Sequence, residues 1–262
     1  MAKKGATVAD SRRSPLKQRP LHNPGESVQR QLDELLDTEL IAIVFPPVLL
    51  FAFAGYEWLA AWLRVPRQPV LALVFAIVSL VYSAFRWRGL RARTDALKQG
   101  RDGEKAVAQY LELHRDVQWR ILNDIPAPGF NVDHVLIAPQ GVFVLETKTF
   151  SKRGDNPKAT YDGKVLKVNG YVPDRDPVAQ VSAIRDWVRG AIEETTGRKV
   201  RPRGVVLMPD WWIDPPPAGV RPDVWVLNPK ALPTFIGNEP TTLTIEDVAL
   251  IADSLGHRSR RE

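Results

Sequence analysis

An acid and a base stand two residues apart at the end of an otherwise apolar run. In FNVDHVLIAPQGVFVLETKTF, residues 130–150, Glu146 and Lys148 follow Val142 and Val144. Strand alternation puts these four side chains on one face and Phe143, Leu145 and Thr147 on the other. On the preceding strand Asp133 shares its face with Val135 and Ile137. A two- or four-residue loop centred on Pro139-Gln140 sets Asp133 directly opposite Glu146. A three-residue loop with Gly141 as a bulge shifts the register and can send Asp133 to the opposite face. Two carboxylates side by side repel unless a cation neutralises them, so their convergence points to Mg²⁺, or Mn²⁺ in its place. Lys148 could then orient or help deprotonate an attacking water, or neutralise charge on a phosphoryl oxygen. The competing reading is an ordinary salt bridge of Lys148 with Asp133 or Glu146 on a solvated sheet face.

Helices on either side of these strands carry two more polar groups toward them. A helix over Asp102–His114, with Asp102 as N-cap, places Glu104 on one stripe with Val107 and Leu111, unless Glu104 is simply a first-turn acid favoured by the helix dipole. A second helix over Asp176–Glu194 places Gln180 on the face of Ile184 and Trp187, where it could equally be a satisfied boundary residue. Further strands are expected at Val117–Asn123, Val205–Met208 and Asp223–Leu227. A turn-flanked strand is expected within 160–172, between Asp162-Gly163 and Asn169-Gly170, and a closing helix at Thr244–Leu255. The pattern predicts an α/β fold, a mixed central sheet flanked by helices, over residues 95–262.

The front of the chain has a different character. Residues 1–39 are hydrophilic, without the early apolar run of a signal peptide. Leu40–Leu63 and Val70–Phe85 are two continuous apolar runs, and residues 40–87 read as a two-helix transmembrane hairpin or a re-entrant one. Pro46-Pro47 should kink or delay the first helix, and Glu57 should snorkel toward the interface near Arg64. Arg86, Arg88, Arg91 and Arg93 follow the second run, against Arg64 and Arg67 between the runs, so both termini are expected in the cytoplasm of a multi-pass cell-membrane protein. The net charge of +6 also sits here: Lys plus Arg outnumber Asp plus Glu 13 to 7 before residue 95, and balance at 23 each from there on. The basic excess therefore belongs to the membrane-flanking segments.

Several chemistries are excluded. With no cysteine there is no disulfide framework, thiolate zinc site or cysteine nucleophile. The four histidines, His22, His114, His134 and His257, lack the close helical spacing of a zinc site. Neither a P-loop nor a G-x-S-x-G elbow is found. Lys152, Arg153 and Lys158 could contact phosphates from a solvated loop; Trp211 and Trp212 are expected to pack rather than stack on bases. His134 should face away from Asp133.

Four ordered blocks carry a family resemblance: GEKAVAQYL (103–111), ILNDI (121–125), NVDHVLIAPQGVFVLETK (131–148) and DPVAQVSAIRDWV (176–188). They resemble the nuclease-related domain, the NERD family of the PD-(D/E)xK nuclease superfamily, over roughly residues 98–190. The resemblance implies a restriction-endonuclease-like fold and a metal-dependent nuclease acting on nucleic acid, with DNA favoured over RNA. It implies Asp133 and Glu146 as metal-binding carboxylates and Lys148 as the catalytic lysine, with Glu104 and Gln180 at the acidic and glutamine positions of the flanking helices. It requires Asp133 and Glu146 on one face, which selects the even loop. Val132 stands where the superfamily motif has proline. Membrane lipid is the other expected partner, and a non-catalytic nucleic-acid-binding or scaffolding module is the alternative.

Overall fold

The computed structural model describes residues 26–63, 69–114, 116–150, 152 and 158–259. Two long helices open the chain, α1 (Glu26–Trp62) and α2 (Pro69–His114). They run antiparallel, as the Ser83–Ile43 and Arg101–Gln29 hydrogen bonds and the Arg86–Glu39 ion pair show. Both are long and apolar enough to cross a membrane. Their apolar side chains point outward, with Phe51, Trp58 and Leu80 largely exposed. Helix α1 continues through Pro46 and Pro47, which apolar helices tolerate where local adjustment satisfies the freed backbone groups.

The helix expected to begin at an Asp102 N-cap does not begin there. Helix α2 runs unbroken from the second apolar segment through residue 95 to His114, and Asp102 lies inside it. The intervening residues 86–101 are rich in Arg, Ala, Leu, Lys and Gln, all good helix formers, so nothing stops the helix. The polar start of α1 lies along this extension and buries Leu32 and Leu90.

Beyond α2 come β1 (Arg120–Ala127), β2 (Phe130–Ala138), β3 (Gly141–Thr147), β4 (Lys158–Tyr161), β5 (Leu166–Val168), α3 (Pro177–Thr196), β6 (Arg203–Leu207), β7 (Trp212–Asp214), β8 (Val224–Leu227), α4 (Leu232–Gly237) and α5 (Ile245–Ser259). Five strands form a mixed sheet in the order β1-β2-β3-β6-β8, antiparallel from β1 to β3 and parallel from β3 to β8. A smaller sheet has the order β5-β4-β7. The turns expected at Asp162-Gly163 and Asn169-Gly170 frame β5, with Gly163, Asn169 and Gly170 at positive φ.

The alternation of β2 and β3 divides the core. Val135, Ile137, Val142 and Val144 pack with Val181, Ile184 and Val188 of α3 and Val248 and Ile251 of α5. Leu136, Phe143 and Leu145 pack on the other face with Val107 and Leu111 of α2 and Leu232 and Ile236 of α4. The resulting architecture is a mixed α/β sheet flanked by helices on both faces. Helix α3 is fixed at both ends: Asp176 accepts from the Val178 amide at its start, and Gly197 closes it in the left-handed conformation.

Candidate active site

The turn between β2 and β3 has two residues, Pro139 and Gln140, with Ala138 paired to Gly141 and His134 to Leu145. This is the even register, and it aligns Asp133 with Glu146. The ladder stops at His134–Leu145. One residue further the Asp133 carboxylate replaces the backbone partner: its Oδ2 accepts from the Thr147 amide at 2.8 Å. Strand β3 stays anchored on its other side, where Thr147 pairs with Leu207 and the Lys148 amide donates to the Leu207 carbonyl at 2.8 Å. The sheet therefore opens between β2 and β3 at the place where Asp133, Glu146 and Lys148 emerge.

Glu146 is 3% exposed. Its Oε1 accepts from Lys148 Nζ at 2.8 Å and from Gln180 Nε2 at 2.6 Å. Gln180 arrives from the first turns of α3, directed by the same stripe that buries Val181, Ile184 and Val188. Glu104 arrives from α2 on the opposite face of the sheet. Gly103 makes that approach possible: a Cβ there would run into the Thr149 side chain. The structure thus brings together Glu104, Asp133, Glu146, Lys148 and Gln180.

Sequence reasoning missed Asp124. It is 3% exposed, accepts from Asn131 Nδ2 at 3.1 Å, and has φ of 49° inside β1. The β1–β2 register skips it, although its neighbours Asn123–His134 and Ile125–Val132 are paired, so it lies across from Asp133. The positive φ interrupts the alternation, and Leu122 and Ile125 enter the same core cluster. Such a conformation is costly for a non-glycine residue. The available signal was a polar Asn-Asp pair within the apolar ILNDI block.

The electrostatics are those of crowded acids. Burial first, then the charges of Asp124 and Glu146, push the Glu104 carboxyl up to about 7, against a smaller opposing pull from Lys148. Burial, Glu146 and Glu104 hold Asp133 well above the usual carboxylate range despite the Thr147 amide. Burial also raises Glu146, with Lys148 pulling the other way. One lysine does not neutralise this group of acids.

Among the described residues, no three His, Asp or Glu side chains are drawn together closely enough to enclose an ion. Mg²⁺ asks for less, because it binds through one or two carboxylates and keeps several waters. Asp133 and Glu146 offer such a pair. Each has one oxygen committed to the contacts above and a second that could take a cation, and their mutual repulsion is what a hard cation relieves. The donor set fits the group.

The remaining candidates divide. His134 faces the other side of β2, with Nδ1 2.8 Å from Asn123 Oδ1, and burial lowers its pKa to about 4. Lys152 is exposed, Lys158 pairs with Asp214 at 3.1 Å, and Arg153 lies outside the described residues. Trp211 is buried edge-on against Phe150, as expected of packing, whereas Trp212 is 72% exposed.

No curated protein matches the chain. Among solved structures, Pyrococcus furiosus SfsA in complex with Ca²⁺ is similar at 16% identity, with a TM-score of 0.24, over 60% of this chain and 53% of that one. The chain thus spans about half the length of that protein. The family model of the nuclease-related domain matches residues 99–209. That segment, which begins within α2, holds all six polar residues of the patch, from Glu104 to Gln180, and residues 99–209 are thus similar to a nuclease-related domain.

Proposed function

We propose that this protein is a membrane-anchored, metal-dependent nuclease that hydrolyses phosphodiester bonds in nucleic acid, with DNA the favoured substrate. The observation that carries this reading is the opening between β2 and β3, where two repelling carboxylates, a lysine and a glutamine meet. Asp133 and Glu146 would hold Mg²⁺ or Mn²⁺, which supplies charge neutralisation at a phosphoryl oxygen and acidifies water.

The protein's own groups do the rest. Lys148, 2.8 Å from Glu146 Oε1, is placed to orient an attacking water or to meet charge growing on the phosphate. Gln180 fixes the Glu146 carboxylate from the α3 side. Glu104, with its carboxyl raised to about 7, can hold or release a proton near neutral pH beside the reacting groups. The hairpin would fix the domain to the cell membrane as a multi-pass anchor with both termini cytoplasmic, in line with the four arginines that follow the second apolar run.

The second reading rests on the Glu146–Lys148 ion pair itself, which could be purely structural in a nucleic-acid-binding or scaffolding module. Full-length protein in detergent, incubated with labelled DNA and RNA with Mg²⁺, Mn²⁺ or chelator, separates the two. Cleavage that requires the metal supports the nuclease. Salt-sensitive binding without cleavage under any divalent metal supports the alternative.

A further inference from the structure

Outside the candidate active site, an open cleft of about 230 Å³ lies along the two long helices, lined by Glu39 of α1 and by Tyr82, Phe85, Arg86, Gly89 and Arg93 of α2. Its position follows from the sequence. Glu39 is the last residue before the first apolar run and Arg86 the first after the second. Given the membrane anchoring proposed above, on which this inference rests, the cleft lies at the level of the lipid headgroups on the arginine-rich side.

Its chemistry is uneven in a telling way. Arg86 Nη2 lies 2.5 Å from Glu39 Oε2, and Arg93 Nη1 is 3.6 Å from Oε1. One carboxylate against two guanidiniums leaves a positive charge uncompensated. Each guanidinium has five N–H donors, of which Glu39 engages few. Arg86 Nε is buried with no hydrogen-bond partner among the described residues, and such a donor is costly to leave unmade. The aromatic walls Tyr82 and Phe85 continue into the apolar face. At Gly89 an added Cβ would meet nothing within 4 Å, so the glycine leaves open room in the cleft.

We infer that this cleft binds the phosphate headgroup of an anionic phospholipid, with Arg86 and Arg93 on the phosphate and Tyr82 and Phe85 against the start of the acyl chains. Bidentate guanidinium–phosphate pairing supplies the affinity. A phosphodiester's single negative charge balances the excess guanidinium.

The test is native mass spectrometry of the full chain in detergent, titrated with phosphatidylglycerol, with phosphatidylcholine, and with inorganic phosphate alone. Gly89→Leu fills the cleft without removing a charge, and Arg93→Gln removes a charge without filling it. Arg91→Gln is the control, since Arg91 stacks over Trp87 at 5.1 Å outside the cleft lining. The expected result is one tightly retained phosphatidylglycerol per chain, weakened about tenfold in both cleft variants and unchanged in the control. Equal retention by all four proteins, or equal retention of phosphatidylcholine, overturns the inference. So does inorganic phosphate displacing the lipid at equal affinity, which would mean a free-anion site. Alkaline carbonate extraction keeps the two failures apart: a chain released from membranes refutes the anchoring, whereas an integral chain without lipid preference refutes only the headgroup site.

Discussion

Replacing Glu104 by Gln should make the protein more stable at neutral pH, the opposite of the usual effect of a polar substitution in a packed site. Burial, and then the charges of Asp124 and Glu146, raise the Glu104 carboxyl from 4.5 to about 7. Between those pH values the folded state binds more protons than the unfolded chain, so this group's contribution to stability falls as pH rises through the window and stays low above it. At about 1.36 kcal/mol per pH unit the ceiling is about 3.4 kcal/mol. Solvent screening of a part-exposed side chain brings the expected gain to about 1–2 kcal/mol. Gln keeps the size and a hydrogen-bonding amide but never ionises. Pulse proteolysis of the full chain in detergent and chelator, across urea and from pH 4 to 8, measures the difference. The two proteins should match near pH 4, diverge through the window, and differ by the full amount at pH 8. A variant no more stable than wild type at pH 8 would refute the idea that a buried, crowded carboxylate strains this patch.

Other outcomes follow from the same geometry. Gly103→Val should cost about 1–3 kcal/mol by pushing α2 off Thr149, and should lower cleavage further by displacing Glu104; urea titration and activity are read together. Mg²⁺ should raise the stability of wild type at neutral pH and do so much less in Asp133→Asn, since a ligand that binds only the folded state stabilises it; equal Mg²⁺ responses would remove Asp133 from the metal site. Because the chain has no cysteine, single cysteines placed in the 64–68 connection and at Asp102 permit clean topology labelling in intact cells. The first should be reached from outside and the second only after permeabilisation.

The strands that carry the site were legible because their face is written in the sequence. Val142, Val144, Glu146 and Lys148 alternate without interruption, and the Pro139-Gln140 turn fixes a register that places Asp133 across from Glu146. The flanking helices were legible through their stripes: Val107 and Leu111 point the way to Glu104, and Ile184 to Gln180. Asp124 was hidden because a left-handed residue inside a strand breaks the period on which such reading depends. The start of the Glu104 helix was hidden for a different reason. Asp102 followed by Gly103 looks like a cap, yet a helix already propagating from residue 69 needs no new start, and Gly103 serves close packing against Thr149. Strand β7 and helix α4 are too short, at three and six residues, to show a period at all.

In the proposed nuclease Lys148 takes part in phosphodiester cleavage. Lys148 is no carboxylate and would not hold the metal, so Lys148→Met separates catalysis from metal binding. Single-turnover cleavage of labelled DNA by the full chain with saturating Mg²⁺, together with DNA affinity, should show a loss of about 10²–10⁴ in rate. Affinity should change by less than about tenfold. Cleavage at the wild-type rate by Lys148→Met would contradict a catalytic role for Lys148.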